Sequence, residues 1–238
     1  MKNLRAILLI GINYVRIQGI TVLIMVVYLT GMAVVFFHNQ RSQEARFFLQ
    51  LHSFYVVFIA MMIAVPAVYG ERKSRRIVAV LSKGIHRWEY LGGILCGCGL
   101  VSAIFCVLVG GISWMLSLRG GYSTAGLGSL LLVLFACALM ASSIGLFFGT
   151  FLHPLLATAA ASATIALPLI VIQAGLKPAS GLFPASWLAK TVVNFQFGMA
   201  ADVGEVVAVV AMALCLTIVF WLAASVVFAR RDVTISME

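Results

Sequence analysis

The chain has 238 residues, of which 63% are hydrophobic and only 10% are charged. Soluble domains are about 25% charged and about 45–50% apolar, so this composition excludes a soluble globular fold and predicts an all-α, multi-pass membrane protein. The formal charge of +9 is typical of basic residues beside an anionic membrane surface and does not indicate nucleic-acid binding.

The first predicted element is an amphipathic helix over residues 1–16 that lies in the membrane interface. One face of its helical wheel is polar, and most of the apolar side chains lie on the rest. The polar face carries Lys2, Arg5, Asn13 and Arg16. A secretory signal peptide is the alternative for this segment, but polar residues interrupt its apolar run and a full span follows at once.

Six uncharged, apolar stretches are each long enough to cross a hydrocarbon core of about 30 Å as a helix. They are residues 17–37, 47–70, 90–118, 127–148, 154–173 and 206–229. The fourth and fifth come from one uncharged stretch that is too long for a single helix. A polar, helix-breaking cluster near its middle predicts a turn there, formed by Gly149, Thr150, His153 and Pro154.

Lysine and arginine are divided unequally between the two sides of this six-span topology. Eleven of the 16 fall on the side that carries the 71–89 loop, and five on the other. Because basic loops stay in the cytoplasm, we expect both termini and the 71–89 loop to be cytoplasmic. Residues 175–205 are too apolar for a free loop and are expected to lie in, or dip into, the outer interface.

The residue patterns needed for several kinds of chemistry are missing from the sequence. No Gly-Lys pair exists to build a phosphate-binding loop, so the chain is not expected to hydrolyse ATP itself. Carboxylates and histidines are scattered over loops and span ends, which predicts neither a catalytic nor a metal site. Since no span carries an ionisable group near its middle, we expect any energy for transport to come from a partner.

The 71–89 loop contains a predicted short helix. Ser74 is a suitable N-cap, and Lys83 with Gly84 forms a typical C-terminal stop. The apolar stripe between them consists of Ile77, Val80 and Leu81. Two interpretations are open: a basic membrane anchor with Trp88 and Tyr90 at the headgroups, or a rigid helix that docks in a groove of a cytoplasmic motor.

Four short sequences occur in order along this chain. Glu71-Arg72 follows the second span, Ser-Lys-Gly-Ile-His-Arg-Trp-Glu-Tyr ends the loop, Leu-Phe-Pro lies in the outer segment and Phe-Ala-Arg-Arg-Asp follows the last span. With the amphipathic start and six spans, they resemble the membrane subunit of an ABC-2 type transporter over essentially the whole chain. The loop positions that match the family pattern are Glu71, Arg72, Arg87, Glu89, Tyr90 and Gly92 or Gly93. The departures are Lys73 for a second acidic residue and Arg75-Arg76 for the usual Gly-Thr.

The resemblance implies the permease subunit of an ATP-driven exporter in a bacterial cytoplasmic membrane. It implies two copies of this chain, or one copy with a paralogue, above two ATP-binding subunits that hold ATP and Mg²⁺. Closure of those subunits would push on the 74–84 helix and the N-terminal helix and tilt spans one, two and five. The partner-binding residues would be Glu71, Ser74, Ile77, Val80, Leu81, Lys83, Gly84 and Arg87. An outer gate would be formed by Leu182, Phe183, Pro184 and Trp187.

The second span carries the candidate lining of a translocation path. Gln50 and His52 are polar residues near its outer end, and interface hydration explains them almost as well. Phe58, Met61 and Met62 lie deeper at i, i+3 and i+4 spacing. An apolar lining with few charges favours lipid-like or hydrophobic cargo over ions or sugars, and extruded polymers or peptides remain open as alternatives.

Two glycine pairs at i, i+4 spacing, Gly93 with Gly97 and Gly145 with Gly149, are interpreted as sites of close helix packing. The five cysteines lie in apolar stretches and are interpreted as packing residues.

Two other functions remain open on the residues alone. One is a membrane anchor or assembly subunit, in which the 74–84 helix recruits a soluble partner and nothing crosses the membrane. The other is a channel or an energy-independent flippase, which would need polar residues along a continuous pore.

Overall fold

The computed structural model describes residues 2–39, 42–73, 77, 85–120, 126–173 and 202–230. The regular elements in these ranges are helices, which confirms the all-α class. Eight of them are defined: α1 Lys2–Ile17, α2 Gly19–Asn39, α3 Ser42–Ala64, α4 Ala67–Lys73, α5 Arg87–Gly120, α6 Leu127–Phe151, α7 Pro154–Gln173 and α8 Val203–Arg230.

Four helical stretches within the described ranges are long and apolar enough to cross a membrane. They are His52–Glu71, Arg87–Met115, Leu127–Phe151 and Val203–Arg230. A fifth crossing results if the bent pair Ile7–Ile17 and Val22–Gly31 forms one span, and Pro154–Ala166 is a shorter apolar helix. The structure therefore supports four or five spans, and the sixth stays a prediction.

The first two helices meet at a sharp bend. The segments on either side of Gln18 are inclined by 63°, and backbone hydrogen bonds continue through the bend from Gln18 to Tyr14 and from Val22 to Gln18. Such a bend is compatible with an interfacial α1 followed by a crossing α2.

Helix α1 packs on the first half of α5 at the Gly93–Gly97 pair. A Cβ atom added at Gly97 would lie 2.8 Å from the Gly11 carbonyl oxygen, and one added at Gly93 would lie 2.7 Å from Ile10 Cγ2. These distances leave no room for a side chain at position 93 or 97 of α5. The glycine pair is therefore the site where the N-terminal helix packs on α5.

Helix α6 lies at the centre of the bundle and α8 at its edge. Within their apolar stretches, 72% of the α6 residues are buried, against 22% of the α8 residues. Helix α6 contacts α3, α5, α7 and α8. Its buried hydroxyl groups are satisfied by backbone carbonyls, as an apolar surrounding requires; Ser142, for example, donates to Ala138 at 2.9 Å and to Ala60 of α3 at 3.2 Å.

The break between α6 and α7 lies later than the sequence pattern indicates. Helix α6 continues through Gly149 and Thr150 to Phe151, and the backbone becomes extended at Leu152, with φ −103° and ψ 157°. Pro154 then begins α7, a position that needs no backbone N–H. Gly149 belongs to the helix because it packs directly against the Val65 carbonyl group of the second span.

Candidate functional site

Both flanks of the 74–84 segment reach one end of the bundle, which we call the loop end. It is formed by the end of α4, the start of α5 and the end of α8. The Tyr90 hydroxyl group donates to Glu71 Oε2 at 3.1 Å, which joins α4 to α5. The entry to the loop and its exit are therefore held together by a direct side-chain hydrogen bond.

The start of α5 is fixed by its own acidic residue. The His86 backbone N–H donates to Glu89 Oε2 at 3.0 Å, and the Glu89 side chain is buried. This geometry is half of a capping box, in which a glutamate at the third helical position satisfies the N-cap amide. The negative charge is also favourable at a helix N-terminus.

Arg87 joins the start of α5 to the end of α8. Its Nη1 atom donates to the Phe228 carbonyl at 3.0 Å and to the Ala229 carbonyl at 2.8 Å. The guanidinium carbon also lies 5.8 Å from the centre of the Phe228 ring. The last carbonyl groups of a helix have no intrahelical partners, and the helix dipole favours a cation there. Arg87 thus caps α8.

The second span is broken at Pro66, between α3 and α4. Two contacts hold the backbone around this break. The Tyr14 hydroxyl group of α1 donates to the Ile63 carbonyl at 2.7 Å, and a Cβ atom at Gly145 of α6 would lie 2.8 Å from the Met61 carbonyl oxygen. The Gly145–Gly149 pair is therefore a site of close backbone packing between α6 and the second span.

The structure divides the predicted path residues between two environments. Phe58 is 45% and Met62 40% exposed, on one face of α3, whereas Met61 is fully buried. Met61 faces α6 and α7, where Ser162 Oγ lies 3.9 Å from its sulfur atom. His52 is also buried. Gln50 belongs to α3, but its side chain is outside the described part of the chain.

The predicted docking and gate residues are only partly covered by the structure. Glu71 and Arg87 form the contacts given above, and Ile77 is helical and buried. Outside the described residues lie Ser74, Val80, Leu81, Lys83, Gly84, Leu182, Phe183, Pro184 and Trp187. Their roles stay predictions.

The sequence analysis did not predict the hydrogen bonds of three residues: Tyr14, Glu89 and Tyr90. Glu89 had a usable signal, because it stands three positions after His86 in a capping-box spacing. Tyr14 and Tyr90 had none, since their partners Ile63 and Glu71 are distant in sequence.

Comparison with known families and proteins gives two findings. The sequence matches the family described as ABC-2 family transporter protein over residues 27–227, a range that includes α3 to α7 and most of α8. A search of curated proteins finds no match to the chain.

Proposed function

The chain belongs to the ABC-2 family of transporter membrane proteins, and we propose that it is the permease subunit of an ATP-driven exporter. The family match over residues 27–227 is the observation that carries the proposal. Separate ATP-binding subunits would hold ATP and Mg²⁺ and hydrolyse the nucleotide. This chain would provide the translocation path, as two copies or with a paralogue, in a bacterial cytoplasmic membrane.

The contacts at the loop end support a role for the 74–84 segment in transmitting force. Glu71 stands before this segment and bonds α5 through Tyr90. Arg87 stands after it and bonds the end of α8. A push by an ATP-binding subunit on the loop would therefore be passed to α4, α5 and α8, because side-chain hydrogen bonds join the ends of these helices.

We propose lipid-like or hydrophobic cargo. Support comes from the second span, where the exposed side chains Phe58 and Met62 share one apolar face. A translocation path lined by such groups would favour acyl chains or other apolar surfaces over ions and sugars.

The proposal is tested by purifying the chain from its native membrane in mild detergent and identifying the proteins that accompany it. We expect a stoichiometric ATP-binding subunit and vanadate-sensitive ATPase activity in the preparation. A soluble partner without ATPase activity would instead support the membrane-anchor function. A preparation with no partner would contradict the exporter assignment.

The docking residues are tested by Leu81→Asp, which places a charge in the apolar stripe of the 74–84 helix. Burying this unpaired charge in the partner's groove is expected to cost several kcal/mol and release the ATP-binding subunit. Ser82→Asp is the matched control, because at about 100° per residue it lies away from the stripe. Retention of the partner by Leu81→Asp, or equal release by both variants, would contradict the docking assignment.

A further inference from the structure

Pro66 breaks the second span shortly before the 74–84 segment. Proline has no backbone N–H, and its ring clashes with the carbonyl group four residues earlier. Helix α3 accordingly ends at Ala64 and α4 begins at Ala67. The break separates α4, which is bonded to the loop end through Glu71, from α3, which carries the exposed Phe58 and Met62 face.

Tyr14 supplies a hydrogen-bond donor at this break. In an unbroken helix the Ile63 carbonyl would accept the N–H of residue 67, across the position of the proline. It instead accepts the Tyr14 hydroxyl group at 2.7 Å. Tyr14 is only 4% exposed. In an apolar surrounding a carbonyl group without a donor is costly, so this bond stabilises the span in its broken form.

The break is held from its other face by α6. At about 100° per residue, Met61 and Val65 lie on the opposite side of the helix from Ile63. The carbonyl groups of Met61 and Val65 pack against Gly145 and Gly149. The span is thus held between the Gly145–Gly149 pair of α6 on one side and the Tyr14 hydrogen bond on the other.

Tyr14 is itself held in place by α5. A Cβ atom at Gly97 would lie 3.0 Å from Tyr14 Cδ1 and 2.8 Å from the Gly11 carbonyl oxygen. The position of the phenol ring is therefore set by the packing of α1 on α5. Through Tyr14, the packing site of the N-terminal helix on α5 is connected to the break of the second span.

We propose that Tyr14 is a positioning residue whose hydroxyl group holds the break at Pro66, between the loop-linked α4 and the α3 helix, by bonding the Ile63 carbonyl. The hydrogen bond with Ile63 replaces one of the helical bonds that are lost at the break. The relevance of this break to transport rests on the proposed function, whereas the role of the hydroxyl group is a property of this chain alone.

The test combines Tyr14→Phe with Pro66→Ala in the full-length chain, purified in lipid nanodiscs. Amide hydrogen exchange is measured by mass spectrometry over residues 64–70. With Pro66 present, loss of the hydroxyl group is expected to speed exchange in this segment about fivefold to tenfold. In the Pro66→Ala background, residue 67 can donate to Ile63, so the same change is expected to alter exchange less than twofold.

Tyr28→Phe is the matched control, because Tyr28 is exposed and its ring packs on Tyr55. It is expected to leave residues 64–70 unchanged. Equal effects of Tyr14→Phe in both backgrounds, or no effect in either, would overturn the proposal. If Pro66→Ala cannot be purified, Tyr14→Phe alone decides: faster exchange confined to residues 64–70 supports the proposal, and faster exchange spread along α5 overturns it. None of these measurements requires cargo or an ATP-binding subunit, so they are independent of the exporter assignment.

Discussion

Gly97 determines how closely α1 approaches α5. The Gly11 carbonyl oxygen and the Tyr14 ring occupy the space that a side chain at position 97 would need. Gly97→Ala is therefore expected to destabilise the protein by about 1–3 kcal/mol through overpacking. Thermal unfolding in detergent would show a lower apparent Tm, by roughly 2–4 °C per kcal/mol.

Gly111 provides the control for this prediction within the same helix. Nothing lies within 4 Å of a Cβ atom built at that position. Because alanine has the higher helix propensity, Gly111→Ala is expected to leave the Tm unchanged or raise it. A Gly97→Ala protein as stable as the Gly111→Ala protein would show that α1 does not sit on α5 in this way.

The second prediction at the residue scale concerns Arg87. Arg87→Gln removes charge-assisted hydrogen bonds to the Phe228 and Ala229 carbonyls. Hydrogen bonds to charged groups contribute about 1.5–3 kcal/mol in mutational series. We expect a lower Tm and faster backbone amide exchange in the last turn of α8.

Arg16→Gln is the matched control for Arg87→Gln, since it removes the same charge from an exposed position on α1. We expect it to leave both quantities unchanged. Arg87→Lys is expected to fall between them, because an ammonium group keeps the charge but loses the planar guanidinium that lies against the Phe228 ring. Unchanged amide exchange in α8 upon Arg87→Gln would exclude a capping role.

At the scale of elements, the sequence predicts where helices occur better than where they end. Stretches without charged residues predict where the apolar helices lie. The predicted spans 127–148 and 154–173, for example, correspond to α6 and α7. The sequence pattern also places Gly149 in a turn, whereas the structure places it in α6. Glycine permits both a turn and close helix packing, and only the position of Val65 distinguishes them here.

The contacts of the candidate site could be predicted from the sequence even less well than the ends of the helices. Sequence reasoning identified Glu71 and Arg87 from the loop pattern and assigned both to partner docking. Their contacts with Tyr90 and with the end of α8 depend on tertiary structure; Arg87 and Phe228 are separated by 141 positions. Local patterns carry no information about such pairs. That Phe58 and Met62 share one face of α3 could be predicted from helical spacing, but the burial of Met61 could not.

At the scale of the whole molecule, three contacts indicate which chain segments share one end of the bundle. The Tyr69 and His153 rings meet edge to face at 5.6 Å between centroids. Glu71 meets Tyr90, and Arg87 meets Ala229. The two ends of the 71–89 loop, the α6–α7 break and the end of α8 therefore lie on the same side of the bundle. This agrees with the even number of crossings between them in the six-span topology.

Which side of the membrane this end faces is predicted by the distribution of basic residues. Cysteines introduced at Ser74 and His153 are expected to react with a membrane-impermeant maleimide only from the cytoplasmic side, since basic loops stay there. A cysteine at Ser180, in the predicted outer segment, is expected to react only from outside. Labelling is measured in intact cells and in inside-out vesicles, with unmodified protein as the control for its five native cysteines. Reaction of positions 74 and 180 from the same side would overturn the six-span topology, because an odd number of crossings must separate them. Reaction of positions 74 and 153 from opposite sides would contradict the placement of the α6–α7 break beside the loop end, which rests on the Tyr69–His153 contact.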